Sequence, residues 1–177
     1  TSFQYLADDG DSVSAPVSVT ITVNSLAEQQ RIVVNELHVH PDIKTEKVEF
    51  VELHNPSDVP VGVGGWALRN AVDYVFPTNA YLPAGGYLVV AQDPQDFGDK
   101  FGRSSLGPWE GKLANDQDVI DLYTHTGQQI DRVDYQLGFP WPTYGDEPGP
   151  SMQLVNARLQ NDLGGNWIGA LPTPGEV

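Results

Sequence analysis

The sequence predicts an all-β protein built as a two-layer sandwich. Apolar and polar residues alternate in short runs along the chain, and the clearest run holds Val17, Val19, Ile21 and Val23. The chain also contains 18 Gly and 14 Pro, a density of breakers that favours short strands and tight turns over long helices. Several short strands without a helical period indicate a sandwich or a barrel.

Residues 1–25 are predicted to form a hairpin of their own. Phe3, Tyr5 and Ala7 alternate with polar residues before an acidic turn, and the clear alternating run follows that turn. The pattern resembles the closing two strands of a cadherin-like or immunoglobulin-like repeat. Two strands cannot bury a core, so we expect a truncated repeat or a hairpin that packs on its neighbour. Residues 26–31 are the predicted linker.

The main domain is predicted to span residues 32–175. The expected strands lie near residues 32–39, 48–55, 66–70, 73–76, 86–92, 118–123, 129–135 and 151–155. Residues 93–111 form a long irregular segment, with one short helical turn expected around residues 94–97. The predicted core consists of Ile32 or Val33, Leu37, Val51, Leu53, Trp66, Leu68, Phe76, Leu88, Val90, Ile120, Leu122, Ile130, Val133, Leu154 and Trp167.

An ordered series of motifs carries a family resemblance. The series comprises Ile32-Val33-Val34-Asn35-Glu36-Leu37, Glu49-Phe50-Val51-Glu52-Leu53-His54-Asn55-Pro56-Ser57, Gly64-Gly65-Trp66, Leu82-Pro83-Ala84-Gly85-Gly86, Trp141-Pro142 and Pro172-Thr173-Pro174-Gly175. Over residues 31–175 the chain resembles the lamin-tail domain in the form found in large secreted bacterial proteins. The resemblance implies an immunoglobulin-like sandwich that serves as an adhesive or tethering module. No heptads precede it, so a filament or nuclear role has no support.

The amino-acid composition excludes some classes of binding partner and of chemical site. The formal charge of −15 repels nucleic-acid phosphates and anionic membranes, and it attracts cations such as calcium. The alternative is that the charge only keeps the protein soluble in an extracellular medium. The absence of cysteine excludes a thiolate zinc site and a cysteine nucleophile. Because Thr1 opens within a strand-like pattern, we expect a longer multidomain precursor that carries any export signal upstream.

Glu36 and Glu52 form the sharpest candidate site. Strict alternation from an inward Val33 places Glu36 on the outer face, nearly opposite Glu52 of the partner strand. Opposed carboxylates repel unless a cation bridges them, so one interpretation is a calcium site. His38 or His54 would join the ligands only for a softer metal. The alternative is an outer face that is solvated or covered by the long loop, with the carboxylates bonded to backbone amides.

The acidic turn of the first hairpin is a second candidate. Asp8, Asp9 and Asp11 surround Gly10 at a place where cadherin-like repeats hold calcium ligands. The turn is too short for an EF-hand loop, which needs about 12 residues and a closing glutamate. The alternative is an Asp/Gly turn without an ion.

Aromatic residues in loops suggest a binding surface. Trp109 lies in a Gly- and Pro-rich loop, and Trp141 and Tyr144 lie among prolines and glycines. Such residues form either a platform for a sugar or protein partner or plugs that close the end of the sandwich. The first interpretation predicts a carbohydrate-binding accessory domain of an extracellular enzyme.

Catalysis is not predicted. The sequence has no Gly-x-Ser-x-Gly elbow, phosphate loop or dinucleotide fingerprint, and no carboxylate pair stands out as a glycosidase pair. A hydrolase is therefore the least favoured alternative. We predict a non-catalytic module at the cell surface that binds protein or polysaccharide and does not insert into a membrane.

Overall fold

The computed structural model describes residues 2–20, 31–136, 138–142 and 149–176. Its strands in chain order are β1 (Ser2–Tyr5), β2 (Val17–Thr20), β3 (Val33–His38), β4 (Phe50–His54), β5 (Val61–Gly62), β6 (Ala67–Asn70), β7 (Val72–Val75), β8 (Tyr81–Leu82), β9 (Tyr87–Ala91), β10 (Glu110–Gly111), β11 (Gln117–Tyr123), β12 (Gln129–Gln136), β13 (Ser151–Leu154) and β14 (Trp167–Ala170). One helix, α1 (Pro94–Phe101), follows β9, and a single 3-10 turn (Gly164–Asn166) precedes β14.

Two five-stranded antiparallel sheets make up the main domain. Sheet A has the order β14-β13-β3-β4-β9 and sheet B has the order β10-β7-β6-β11-β12. Strands β5 and β8 form a small separate ladder, and β1 pairs with β2 in the predicted first hairpin. The predicted all-β, immunoglobulin-like two-sheet sandwich is confirmed. All eight strands predicted for the main domain are present, whereas β14 and the two-residue strands β5, β8 and β10 were not predicted.

The core lies between the two sheets and centres on the predicted residues. The Trp66 side chain is only 6% exposed and belongs to the main apolar cluster. Leu88 and Ile130 are partly buried at its margin, and the other predicted core residues are buried within it. Removal of this apolar surface from water is the main stabilising contribution to the fold.

The predicted strict alternation of inward and outward side chains fails at one point in β3. The register of β3 against β4 shifts between Val34 and Glu36, so Val34, and not Asn35, lies opposite Leu53. A bulge of this kind leaves one backbone amide without its ladder partner. Here the Asp131 carboxylate accepts a 2.7 Å hydrogen bond from the Val34 amide.

Helix α1 covers part of the outer face of sheet A. Its N-cap is Asp93, whose carboxylate accepts from the Gln95 amide at 2.9 Å, and Gly102 ends it with a φ of 67°. Phe97 and Phe101 of the helix pack on Phe50 of β4. The helix is longer than the single turn that the sequence predicted.

The predicted linker and the predicted boundary between the hairpin and the main domain fall partly outside the described residues. Residues 21–30, which include most of the predicted 26–31 linker, belong to the undescribed part, so the division of the chain at residue 25 stays a prediction.

In the described part of the chain, no helix has both the length and the apolar character needed to span a membrane.

Candidate functional site: a buried carboxylate pair

The predicted pairing of Glu36 with Glu52 is confirmed. The two residues are direct cross-strand partners in the β3–β4 ladder. Their side chains are 1% and 0% exposed, because a C-terminal segment, residues 171–176, lies over this part of the outer face. The pair is therefore enclosed and does not stand on a solvated surface.

Glu36 binds the C-terminal segment and the neighbouring strand β13. Its Oε1 accepts hydrogen bonds from the Ser151 hydroxyl at 2.5 Å and the Thr173 amide at 3.0 Å. Its Oε2 accepts from the Thr173 hydroxyl at 3.2 Å. The Gln153 amide donates to Oε1 at 3.3 Å and also to the Leu171 carbonyl at 2.8 Å. One carboxylate thus joins β3, β13 and the C-terminal segment.

Glu52 binds the same segment two residues further on. Its Oε2 accepts a hydrogen bond from the Gly175 amide at 2.5 Å, and its Oε1 accepts from the Asn35 side-chain amide at 3.0 Å. Burial raises the pKa of Glu52 to about 7, against the opposing effect of these two hydrogen bonds, and the nearby Glu36 charge raises it further. Near neutral pH, Glu52 is therefore poised between its charged and neutral forms.

Neither histidine near the pair contacts the glutamates. The ring nitrogens of His38 lie 3.1 Å from the Val48 carbonyl oxygen and 3.0 Å from that of Gly149. His54 Nδ1 lies 3.1 Å from the Gly86 carbonyl oxygen, and its ring stacks on Tyr87. Burial lowers the pKa of both histidines.

Metal binding at the pair stays a prediction. Within the described ranges, no group of three or more Asp, Glu, His or Cys side chains is arranged to hold a metal ion. The four oxygens of Glu36 and Glu52 already accept hydrogen bonds from protein donors. A cation would have to displace some of these donors, and with them the C-terminal segment.

The acidic turn after β1 is exposed and organised by its own carboxylates. Asp8 accepts a hydrogen bond from the Gly10 amide at 2.9 Å. Asp9 accepts from the amides of Ser12 at 2.8 Å and Asp11 at 3.0 Å, and these bonds lower the pKa of Asp9. This is the geometry of Asx turns. Calcium binding here also stays a prediction.

The predicted aromatic platform is not accessible in this structure. Trp109 and Trp141 are 6% and 5% exposed and belong to the main core. The ring centroids of Trp141 and Trp167 lie 6.0 Å apart there. Their position matches the alternative in which they close the sandwich. Tyr144 lies outside the described residues.

Two carboxyl groups with raised pKa values were not singled out from the sequence. Glu49 is 4% exposed and accepts a 3.1 Å hydrogen bond from the Leu113 amide, and burial raises its pKa to about 7. Burial raises the pKa of Asp131 to about 6. The signal for Glu49 was its place between Val48 and Phe50 in an apolar run. No sequence signal marked Asp131, because the Val34 amide that it binds is free to donate to a side chain only as a result of the bulge in β3.

Comparison with protein families agrees with this architecture. The model of the lamin tail domain matches residues 26–136. The chain belongs to the lamin tail domain family. This family has a non-enzymatic, immunoglobulin-like fold. Sheet A extends beyond the matched range, since β13 pairs with β3 and β14 pairs with β13. A search of curated proteins finds no match to the chain.

Proposed function

We propose that the chain is a non-catalytic interaction or tethering module of a large exported bacterial protein. The main support is the structural role of the buried carboxylate pair, Glu36 and Glu52. Both carboxylates hold the C-terminal segment, Glu36 through Thr173 and Glu52 through Gly175. Membership of a non-enzymatic fold family supports the same conclusion.

The charge supports an extracellular setting for this module. A net charge of −15 disfavours nucleic acid and anionic lipid as partners. The proposed partners are proteins or polysaccharides of the cell surface. Residues 1–25 are proposed to be the end of a preceding repeat in a longer multidomain chain, followed by a linker over residues 26–31.

An adhesion assay tests the proposal. The chain is fused to a fluorescent protein and incubated with washed bacterial cells. The control is the same fluorescent protein fused to an unrelated folded protein of equal net charge. Retention above the control supports tethering, and equal retention contradicts it. Turnover above background in a screen of generic hydrolase substrates would contradict the non-catalytic assignment.

Calcium is proposed to stabilise the module. A ligand that binds only the folded state raises the melting temperature by mass action. We expect a rise in millimolar calcium relative to EDTA, and an unchanged midpoint rejects the proposal. Loss of the rise in Asp9→Asn places the ion at the acidic turn, and loss in Glu36→Gln places it at the carboxylate pair.

A further inference from the structure

A polar cavity lies at one end of the sandwich, away from the C-terminal segment. It has a volume of about 490 Å³, within the ~300–1,000 Å³ range of small-ligand sites. Its walls come from the loop between β3 and β4, from Gln92 after β9, and from residues 112–115 before β11. Three of the four lysines of the chain line it: Lys44, Lys47 and Lys112.

These three lysines share the cavity with two carboxyl groups, Glu46 and Glu49, and Lys112 is close enough to Glu49 to lower its pKa electrostatically. None of them forms an ion pair within the described ranges, although Asp and Glu total 24 in the chain. The fourth lysine, Lys100, contacts both Asp42 and Glu46. Because Lys100 already pairs with Glu46, the lining keeps an excess of positive charge, and an anion bound among the three lysines would reduce their mutual repulsion.

A buried carboxyl group reaches the same cavity. Glu49 is 4% exposed, and its Oε2 accepts from the Leu113 amide. Its Oε1 has no hydrogen-bond partner in the described part of the chain and is not fully enclosed. Because this oxygen is not fully enclosed and Glu49 lines the cavity, it can accept a hydrogen bond from a ligand hydroxyl.

The lining also contains uncharged polar groups, besides Glu46 and His40. Gln92 and Asn115 supply amides and Thr45 supplies a hydroxyl, all of which can donate to or accept from a ligand hydroxyl. The lining contains no Trp, Tyr or Phe on which a neutral sugar ring would stack. The site therefore favours a ligand that combines a carboxylate with several hydroxyls.

We propose that this cavity, a local excess of positive charge in an otherwise acidic chain, binds one carboxylate-bearing sugar residue of a polysaccharide. The lysine ammonium groups pair with the sugar carboxylate, and the amides, Thr45 and Glu49 bind its hydroxyls. The inference deepens the proposed function and rests on it, since it names a ligand class for the cell-surface module. Titration with triglutamate distinguishes an acidic peptide, which shares the carboxylate but not the hydroxyls.

Isothermal titration of the full chain with trigalacturonate tests the proposal. The matched ligand is galactotriose, which lacks the carboxylates. We expect binding of the acidic sugar only, with affinity about tenfold weaker in Lys47→Gln and in Lys112→Gln, and weakened by salt. The control variant is Arg69→Gln, which removes a positive charge outside the cavity at an exposed ion pair with Asp73.

Three results would overturn the assignment. One is no heat of binding, and another is equal affinity for galactotriose. The third is an equal loss of affinity in Arg69→Gln, which would show general charge attraction. Tighter binding of triglutamate that depends on the same lysines would assign the cavity to an acidic peptide instead. If the sugar fails but the fused chain still adheres to cells, only the ligand inference falls and the tethering proposal stands.

Discussion

Glu36 and Glu52 are direct cross-strand partners, and their carboxylates bind amides two residues apart, those of Thr173 and Gly175. A pair of like charges is therefore used to hold one short segment against sheet A. The arrangement is tolerable because every carboxylate oxygen has a donor and because Glu52 is readily protonated near neutral pH.

Replacement of Glu36 by alanine should destabilise the domain and release the C-terminal segment. The change leaves the buried Ser151 hydroxyl and the half-buried Thr173 amide without their acceptor, and an unsatisfied buried donor costs about 1–3 kcal/mol. Urea unfolding should show a loss of about 2–4 kcal/mol. Hydrogen exchange should show faster exchange of the Thr173 amide. Glu36→Gln, which keeps one acceptor oxygen, should lose less, and equal losses would contradict this account.

The stability of the protein should change with pH because Glu52 gains or loses a proton. Its folded-state pKa of about 7 lies above the ordinary 4.5, so the folded protein holds an additional proton between these values. The resulting stabilisation is complete below pH 4.5 and is lost as the pH rises through 7. Glu52→Gln removes this change, so relative to wild type it should be more favourable at pH 8 than at pH 5, by up to roughly 3 kcal/mol. Chemical denaturation across this range measures the difference, and parallel profiles would contradict the assigned pKa.

Strand positions and the core could be predicted because alternation and turn residues report on local structure. Trp66 behind its glycine pair and the Glu36–Glu52 pairing are examples. The cover over the pair could not be predicted, since it depends on where residues 171–176 return in space. The bulge at Val34 was missed for the same reason, because its partner Asp131 lies 97 residues away. The loop tryptophans were ambiguous because a proline-rich context suits a plug and a platform equally.

Removal of the Asp131 carboxylate should lower the free energy of unfolding more than removal of an ordinary surface aspartate. It accepts from the Val34 amide at 2.7 Å and from the Asn161 side chain at 2.6 Å, and so satisfies the bulge of β3 from the edge strand β12 of the other sheet. Asp131→Ala should lower the free energy of unfolding by about 2–3 kcal/mol, measured by urea denaturation. Asp73→Ala, which breaks only an exposed ion pair with Arg69, should cost under about 1 kcal/mol. Similar costs for the two variants would argue against the bridging role.

Gly64 should be required for close backbone approach, whereas Gly62 should not. A Cβ at Gly64 would lie 2.2 Å from the Thr78 carbonyl oxygen, a backbone atom that cannot rotate away. At Gly62 nothing lies within 4 Å of the added atom. Gly64→Ala should therefore lower the free energy of unfolding by about 2 kcal/mol or more, because the two chain segments must separate. Gly62→Ala should change it by less than about 0.5 kcal/mol. Paired thermal and urea unfolding curves measure both variants, and a near-neutral Gly64→Ala would mean that the turn before Trp66 is not packed against residue 78.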